Sequence, residues 1–280
     1  MNNSMIQFCK YHGLGNDFLI ISGEKRLAKS INSLFTPEVI TKICSRRFGI
    51  GADGLIFSLL SDNDCDIRMQ IFNSDGSEAE MCGNGIRCLV KYLLDNSKIE
   101  VNQKLKIETL AGLIKAKVNS NNYITVDMGF PILTPSQIPT LLKISDFDLP
   151  TSTIILDQKN YKIYSVGMGN PHMIIFVDDI NCVKLEEWGK CLEFHKDFPS
   201  NTNVHFVQVK SKSEIEIKVW ERGCGVTLAC GTGACACVVV TKKLGITNSI
   251  VNVNLPGGQL IIDWPDSNTS IKMTGPSEYL

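Results

Sequence analysis

Cys82-Gly83-Asn84-Gly85 and Cys230-Gly231-Thr232-Gly233 are two versions of one short segment, 148 residues apart. Each follows strand-like sequence and a polar turn, and each runs into a helix-like stretch. The likeness extends upstream. Gly13-Leu14-Gly15-Asn16-Asp17 resembles Gly167-Met168-Gly169-Asn170-Pro171, at an offset of 154. Asn73 stands nine residues before Cys82, and Glu221 stands nine before Cys230. Three landmarks in one order at nearly one offset point to two related halves, the alternative being a chance likeness among Gly-rich turns. With 280 residues, 44% of them hydrophobic, there is enough apolar side chain for two cores of ordinary domain size.

The local pattern agrees with a duplicated α+β fold. Thr36 and Pro37 open a first helix, with Val39, Ile40, Ile43 and Cys44 on its apolar side. Residues 55–60 and 67–72 read as strands, and Asn73-Ser74-Asp75-Gly76-Ser77 as a turn. A helix is predicted over 84–94, then strands over 105–109, 113–118 and 124–128. Residues 129–150 carry four prolines and little periodicity, so the first domain is set at 1–128. The second half repeats the scheme. Strands are predicted over 163–166, 173–177, 204–209 and 214–219, helices over 185–194 and 231–243, and closing strands over 250–255, 260–264 and 271–273. The alternation of Glu214 to Val219 is that of a half-exposed strand.

Composition excludes several function classes. The formal charge is −1 with no basic face, which disfavours nucleic acid and membrane surfaces as partners. Apolar runs fall well short of the roughly 18 residues of a membrane span. Met1-Asn2-Asn3-Ser4-Met5 is too polar for a signal peptide, and Met5 offers a second start. Eleven cysteines, odd in number and irregular in spacing, read as free thiols in a reducing compartment, hence the cytoplasm. Cys44, Cys88, Cys235 and Cys237 sit among apolar neighbours and are expected to be buried small hydrophobes. Cys224, Cys230, Cys235 and Cys237 contain no CxxC pair and do not match structural-zinc spacing.

Cys82 and Cys230 are different. A thiol where a strand turns into a helix meets unpaired backbone N–H groups and the positive helix end. That predicts a thiol pKa lowered from about 8.5. The same N–H groups can hold a substrate carboxylate. Two such thiols on opposite faces of one carbon would take a proton from one side and return one to the other. A clamped carboxylate would stabilise the charge that develops. The competing reading is a pair of structural cysteines beside turns, and the residues alone leave it open.

The ordered set of motifs resembles the diaminopimelate epimerase family over essentially the full length. Its marks are Gly13 to Phe18, Gly49-Ile50-Gly51-Ala52-Asp53-Gly54, Phe72 to Ser77 leading into Cys82 to Cys88, Gly169 to His172, Asn203-Val204, Glu221-Arg222-Gly223, and Ala229 to Ala234. The resemblance implies two pseudo-symmetric α/β domains with mixed and antiparallel sheets wrapped on helices. It places an active site in the cleft between them, a second domain over 129–264, and a segment 265–280 returning to the first. It implies interconversion of LL- and meso-2,6-diaminopimelate, a small-molecule substrate, without pyridoxal phosphate, metal or other cofactor, by a homodimer. By the same resemblance Cys82 and Cys230 are the catalytic pair. Gly83, Asn84, Gly231 and Thr232 hold the reacting carboxylate, and Asn73, Asn170, Asn203, Glu221, Arg222 and Asn16 bind substrate. His172 supports the site. The chemistry is apt: Arg222 offers a planar fork to a carboxylate, Glu221 an acceptor to an ammonium, and the asparagines both functions.

Two residues depart from the family pattern. Val226 stands where a glutamate is expected, and Gly54 where some relatives carry glutamine. The alternatives are a proline or hydroxyproline racemase, whose smaller substrate does not need the Asn203, Glu221 and Arg222 anchor, and a non-catalytic amino-acid-binding protein of the same fold. The phenazine-biosynthesis isomerases share the design but lack the cysteine pair.

Overall fold

The computed structural model describes residues 6–23, 31–145 and 147–280; the expectations placed on Met1 to Met5 lie outside them. The chain divides into two compact units. One runs to Asp127 and includes Thr274–Leu280; the other is Met128–Met273.

In the first unit, β1 (Cys9–Gly13) turns through Leu14 and Gly15 into β2 (Asn16–Gly23). Both turn residues have positive φ, 58° and 83°, the left-handed conformation that a tight two-residue hairpin requires. β2 runs parallel to β3 (Gly54–Leu59), which pairs antiparallel with β4 (Ile67–Asn73). β4 is parallel to β5 (Lys104–Thr109), and antiparallel steps to β6 (Gly112–Val118) and β7 (Ile124–Asp127) extend the sheet. Helix α1 (Pro37–Cys44) begins with its proline at the first helical position, as predicted. It buries Ile40 and Cys44 in a core with Leu19, Phe57 and Phe72. Helix α2 (Gly83–Asp95) covers the sheet with Ile86, Leu89, Val90 and Leu93, all buried.

The second unit repeats the order. After β8 (Pro150–Leu156), β9 (Lys159–Gly167) pairs antiparallel with β10 (Pro171–Phe176), and β10 runs parallel to β11 (Asn203–Ser211). β11 is antiparallel to β12 (Glu214–Glu221), and β12 is parallel to β13 (Ile250–Leu255), which pairs antiparallel with β14 (Gly258–Asp263). The succession antiparallel, parallel, antiparallel, parallel, antiparallel from β1 to β6 therefore recurs from β9 to β14. Helix α3 (Leu185–Glu193) packs Trp188 and Leu192 into a core with Phe198 and Phe206. Helix α4 (Gly231–Lys243) is apolar nearly all round and buried along most of its length, as such a helix must be. Cys235 and Cys237 are fully buried on it, and Cys44 and Cys88 are buried in the first unit, as their neighbours predict. The architecture is α+β, built on mixed and antiparallel sheet. Among the described residues no helix is long and apolar enough to cross a membrane.

Candidate active site

The repeat carries the candidate residues to matching places. Asn73 is the last residue of β4 and Glu221 the last of β12. Cys82 caps α2 and Cys230 caps α4, and each helix has 13 residues. Asn16 and Asn170 lie at the hairpins that join β1 to β2 and β9 to β10.

In the first unit, Asn16 is the centre of the arrangement. Its Nδ2 donates to Asp53 Oδ2 at 3.0 Å. That fixes Oδ1 as the acceptor, and Asn84 Nδ2 donates to it at 3.2 Å. The Cys82 thiol donates to the same oxygen at 3.9 Å, and Gly85 N–H donates to Cys82 Sγ at 3.4 Å. Asp53 is itself held. Arg46 bonds to it at 2.7 Å and to Asp17 at 2.6 Å, and Lys10 sits 2.9 Å from Asp17. Burial pushes the Asp17 carboxyl up, but hydrogen bonds from Arg46 and Lys10 more than offset it, so the group is held well below the usual carboxylate range. Asn73 donates through Nδ2 to Ser77 Oγ at 3.0 Å and remains exposed. Gly83 and Asn84 are buried in the first turn of α2.

In the second unit, Asn203 Nδ2 donates to the Pro171 carbonyl at 2.8 Å, and its Oδ1 accepts from Arg222 N–H at 3.0 Å. Arg222 Nη1 donates to the Ser200 carbonyl at 2.9 Å. Glu221 accepts from the Thr227 hydroxyl at 2.5 Å. Asn170 and Arg222 line a cleft of about 150 Å³ together with Ile132, Pro139, Gly167 and Gly169. Asn170 Oδ1 lies 2.7 Å from His172 Nε2, and His172 Nδ1 lies 2.8 Å from His205 Nε2. Burial, then His205 and Arg222, push the His172 pKa well below its ordinary value; burial pushes His205 down to about 3. Both rings are therefore neutral. With Asn170 Oδ1 as acceptor, His172 carries its proton on Nε2, and its Nδ1 accepts from His205 Nε2–H.

The Cys230 thiol lies 3.5 Å from Thr232 Oγ1. Burial pushes its pKa well up, and the Glu221 carboxylate beside it pushes the same way through charge and a hydrogen bond; Thr232 and the Gly233 N–H pull back. This reverses the lowered pKa expected at a helix end, because the loss of water around a thiol with 4% exposure outweighs the first-turn N–H groups. Gly231 and Thr232 form that first turn.

Several contributors were not singled out in the sequence. Asp53 and Arg46 set the orientation of Asn16. Glu193 accepts from Trp220 Nε1 at 2.7 Å and from Gly223 N–H at 2.8 Å, so it holds the Glu221-Arg222-Gly223 turn. His205 holds His172; the alternation Asn203-x-His205, which puts both residues on one face of a strand, was the available signal. Of the two departures, Val226 is 49% exposed and pairs with Trp220 in a two-residue strand, while Thr227 bonds to Glu221 independently of it. At Gly54 an added Cβ would lie 2.6 Å from the Phe72 carbonyl oxygen, so this chain has no room for a side chain there.

The family model described as diaminopimelate epimerase matches residues 8–134 and 164–280. The diaminopimelate epimerase of Prochlorococcus marinus (strain NATL1A) is 52% identical over 270 residues, covering 96% of this chain and 95% of that protein. Diaminopimelate epimerase 1 of Nostoc sp. (strain PCC 7120) is 45% identical over 274 residues, covering 98% and 97%. Among solved structures, a hydroxyproline epimerase from Agrobacterium vitis with bound trans-4-hydroxy-L-proline aligns with a TM-score of 0.70 at 16% identity, covering 100% of this chain and 92% of that one. A phenazine biosynthesis protein of the PhzF family from Bacillus anthracis aligns at 0.65 and 17%, covering 98% and 97%. At those identities the structures establish the shared fold.

Proposed function

The chain belongs to the diaminopimelate epimerase family, and from that premise we propose that Cys82 and Cys230 are the proton-transfer pair of an isomerase that interconverts LL- and meso-2,6-diaminopimelate. The observation that carries the reading is the equivalence of the two thiols: each is the N-cap residue of a 13-residue helix at the same point of a repeated fold.

In this reading one sulfur, as thiolate, removes the α-proton, and the other, as thiol, delivers a proton to the opposite face. The roles exchange with direction, so the two titrate as a pair. Removing the α-proton drives charge into the adjacent carboxylate. The N–H groups of the first turns, at Gly83, Asn84, Gly231 and Thr232, hold that carboxylate and stabilise the charge as it forms. Asn16 supplies an oriented amide beside Cys82. Glu221, next to Cys230, is the nearby acceptor for its proton and a partner for a substrate ammonium. Asn73, Asn170, Asn203 and Arg222 anchor the unreactive end, and His172 fixes the amide of Asn170. Binding energy at that end positions the reacting end. The chemistry needs neither pyridoxal phosphate nor metal. None of the eleven cysteines is in a disulfide, which suits a reducing cytoplasm, and a homodimer is the expected assembly.

The test is LL-diaminopimelate in heavy water, followed by NMR, with L-proline as control. Deuterium should enter the inverted α-position of diaminopimelate and leave proline untouched. Cys82→Ala and Cys230→Ala should each lower kcat by at least about 100-fold, the lower range for one acid–base group. Normal rates in both variants, or turnover of proline instead, would end the proposal.

A further inference from the structure

His205 has no task in the proton transfer, yet it is fully buried, and its Nδ1 has no hydrogen-bond partner. Its ring fills the space over the first turn of α4: a Cβ on Gly233 would lie 2.1 Å from His205 Cε1. Ligand atoms of His172, His205 and Cys230 all lie within 4.8 Å of one another, and all three residues are buried. We propose that these three residues form a latent site for a thiophilic divalent cation of the zinc class, and that the cation, once bound, ties up the Cys230 thiol and stops turnover.

The donor set is two imidazole nitrogens and one sulfur. Both donor types are ones zinc takes, and three protein ligands with a fourth position open is the form of its non-structural sites. The supporting contacts are already in place. A metal-bound imidazole is normally held through its other N–H by an oxygen acceptor, and Asn170 Oδ1 holds His172 in that way at 2.7 Å. His172 can therefore offer Nδ1. His205 can offer Nε2 once its proton shifts to Nδ1, the nitrogen that has no partner to lose. The two nitrogens are 2.8 Å apart as hydrogen-bond partners. A tetrahedral cation about 2.0–2.1 Å from each holds them about 3.3 Å apart, with sulfur at about 2.3 Å. The rings need to separate by about half an ångström.

The step balances without redox chemistry. The S–H bond of Cys230 breaks and its proton leaves to solvent. One metal–sulfur and two metal–nitrogen bonds form, and both imidazoles stay neutral. The Glu221 carboxylate beside the thiol offsets part of the charge brought in. Binding at this site stands on the geometry alone; the loss of turnover rests on the function proposed above.

Cobalt(II) is the probe, because thiolate ligation and tetrahedral geometry each give it distinctive absorbance. The reduced full-length protein is titrated with CoCl₂, followed by competition with ZnCl₂ and assay of epimerisation. A Cys182→Ser/Cys191→Ser/Cys224→Ser variant controls for the exposed thiols. One equivalent with a thiolate–cobalt band should bind to the wild type and to the surface-thiol variant. The band should vanish in Cys230→Ser, and affinity should fall at least about tenfold in His205→Gln, the lower bound set by losing even an outer-shell partner. Zinc should displace cobalt and abolish turnover over the same concentration range. The proposal is overturned by no band in the wild type, by a band that survives Cys230→Ser, by one that disappears with the surface thiols, or by full turnover with the site filled. Cobalt bound at the site in a protein that never epimerises diaminopimelate would sink the function and keep the site. Epimerisation without the band would do the reverse.

Discussion

Cys82 and Cys230 hold equivalent positions in different surroundings. Cys230 is buried beside a carboxylate, whereas Cys82 is partly exposed and donates toward the Asn16 amide. A thiol reacts as thiolate and only when it can be reached. In a protein whose exposed Cys182, Cys191 and Cys224 are replaced by serine, iodoacetamide should therefore modify Cys82 at least about tenfold faster than Cys230 at neutral pH. Peptide mapping reads the order, and faster labelling of Cys230 would contradict the burial argument. The motif around each cysteine was plain in the sequence, but the sign of the Cys230 shift was not. A helix-end effect is local and can be read from spacing. Dehydration is set by whatever the rest of the chain packs over the sulfur. Glu193 and His205 escaped notice for the same reason: each acts through a partner distant in sequence, Gly223 and His172.

Helices were the legible elements. The predicted 84–94 and 231–243 correspond to Gly83–Asp95 and Gly231–Lys243, because cap, glycine and apolar spacing lie in consecutive residues. Strand partnership was not legible, since parallel pairs such as His172 with Asn203 join residues far apart in the chain. Among the longer strands, one was missed outright. Pro150–Leu156 is rich in Thr and Ile, but its hairpin to β9 turns through Asp157 and Gln158, with φ of 48° and 64°. A two-residue turn of this kind normally announces itself with Asn-Gly or Asp-Gly, and here the glycine is absent. Gln158→Gly should remove the left-handed strain and stabilise the protein by about 1 kcal/mol. A rise in urea midpoint at unchanged slope would confirm it, and a fall would show that the turn does not carry the strain.

At the scale of the molecule, the repeat signalled two halves, and the structure shows that the first is finished by the end of the chain. Arg87, fully buried, donates from Nε to the Pro276 carbonyl at 3.1 Å. Ser277 Oγ donates to the His12 carbonyl at 3.0 Å, Leu280 N–H donates to the Lys10 carbonyl at 2.9 Å, and Tyr279 stacks edge-on to Tyr11. The Arg87 bond alone is worth about 1.5–3 kcal/mol, as a hydrogen bond from a charged group. Deleting residues 275–280 should strip hydrogen-exchange protection from β1, β2 and α2 and leave β9 to β12 protected. Uniform loss, or none, would contradict the division of the chain into these units.

That closure sets an order of events during synthesis. The half translated first lacks the strand Glu278–Tyr279, which pairs with β1, and the acceptor for Arg87 until those residues are made, while the half translated second has all its parts by Met273. On the ribosome the later-encoded half can finish first, and the earlier one waits, with an open sheet edge at β1, for residues 274–280 to emerge. A nascent chain of this design is most exposed to chaperones, and to mispairing with a neighbour, in its opening 127 residues.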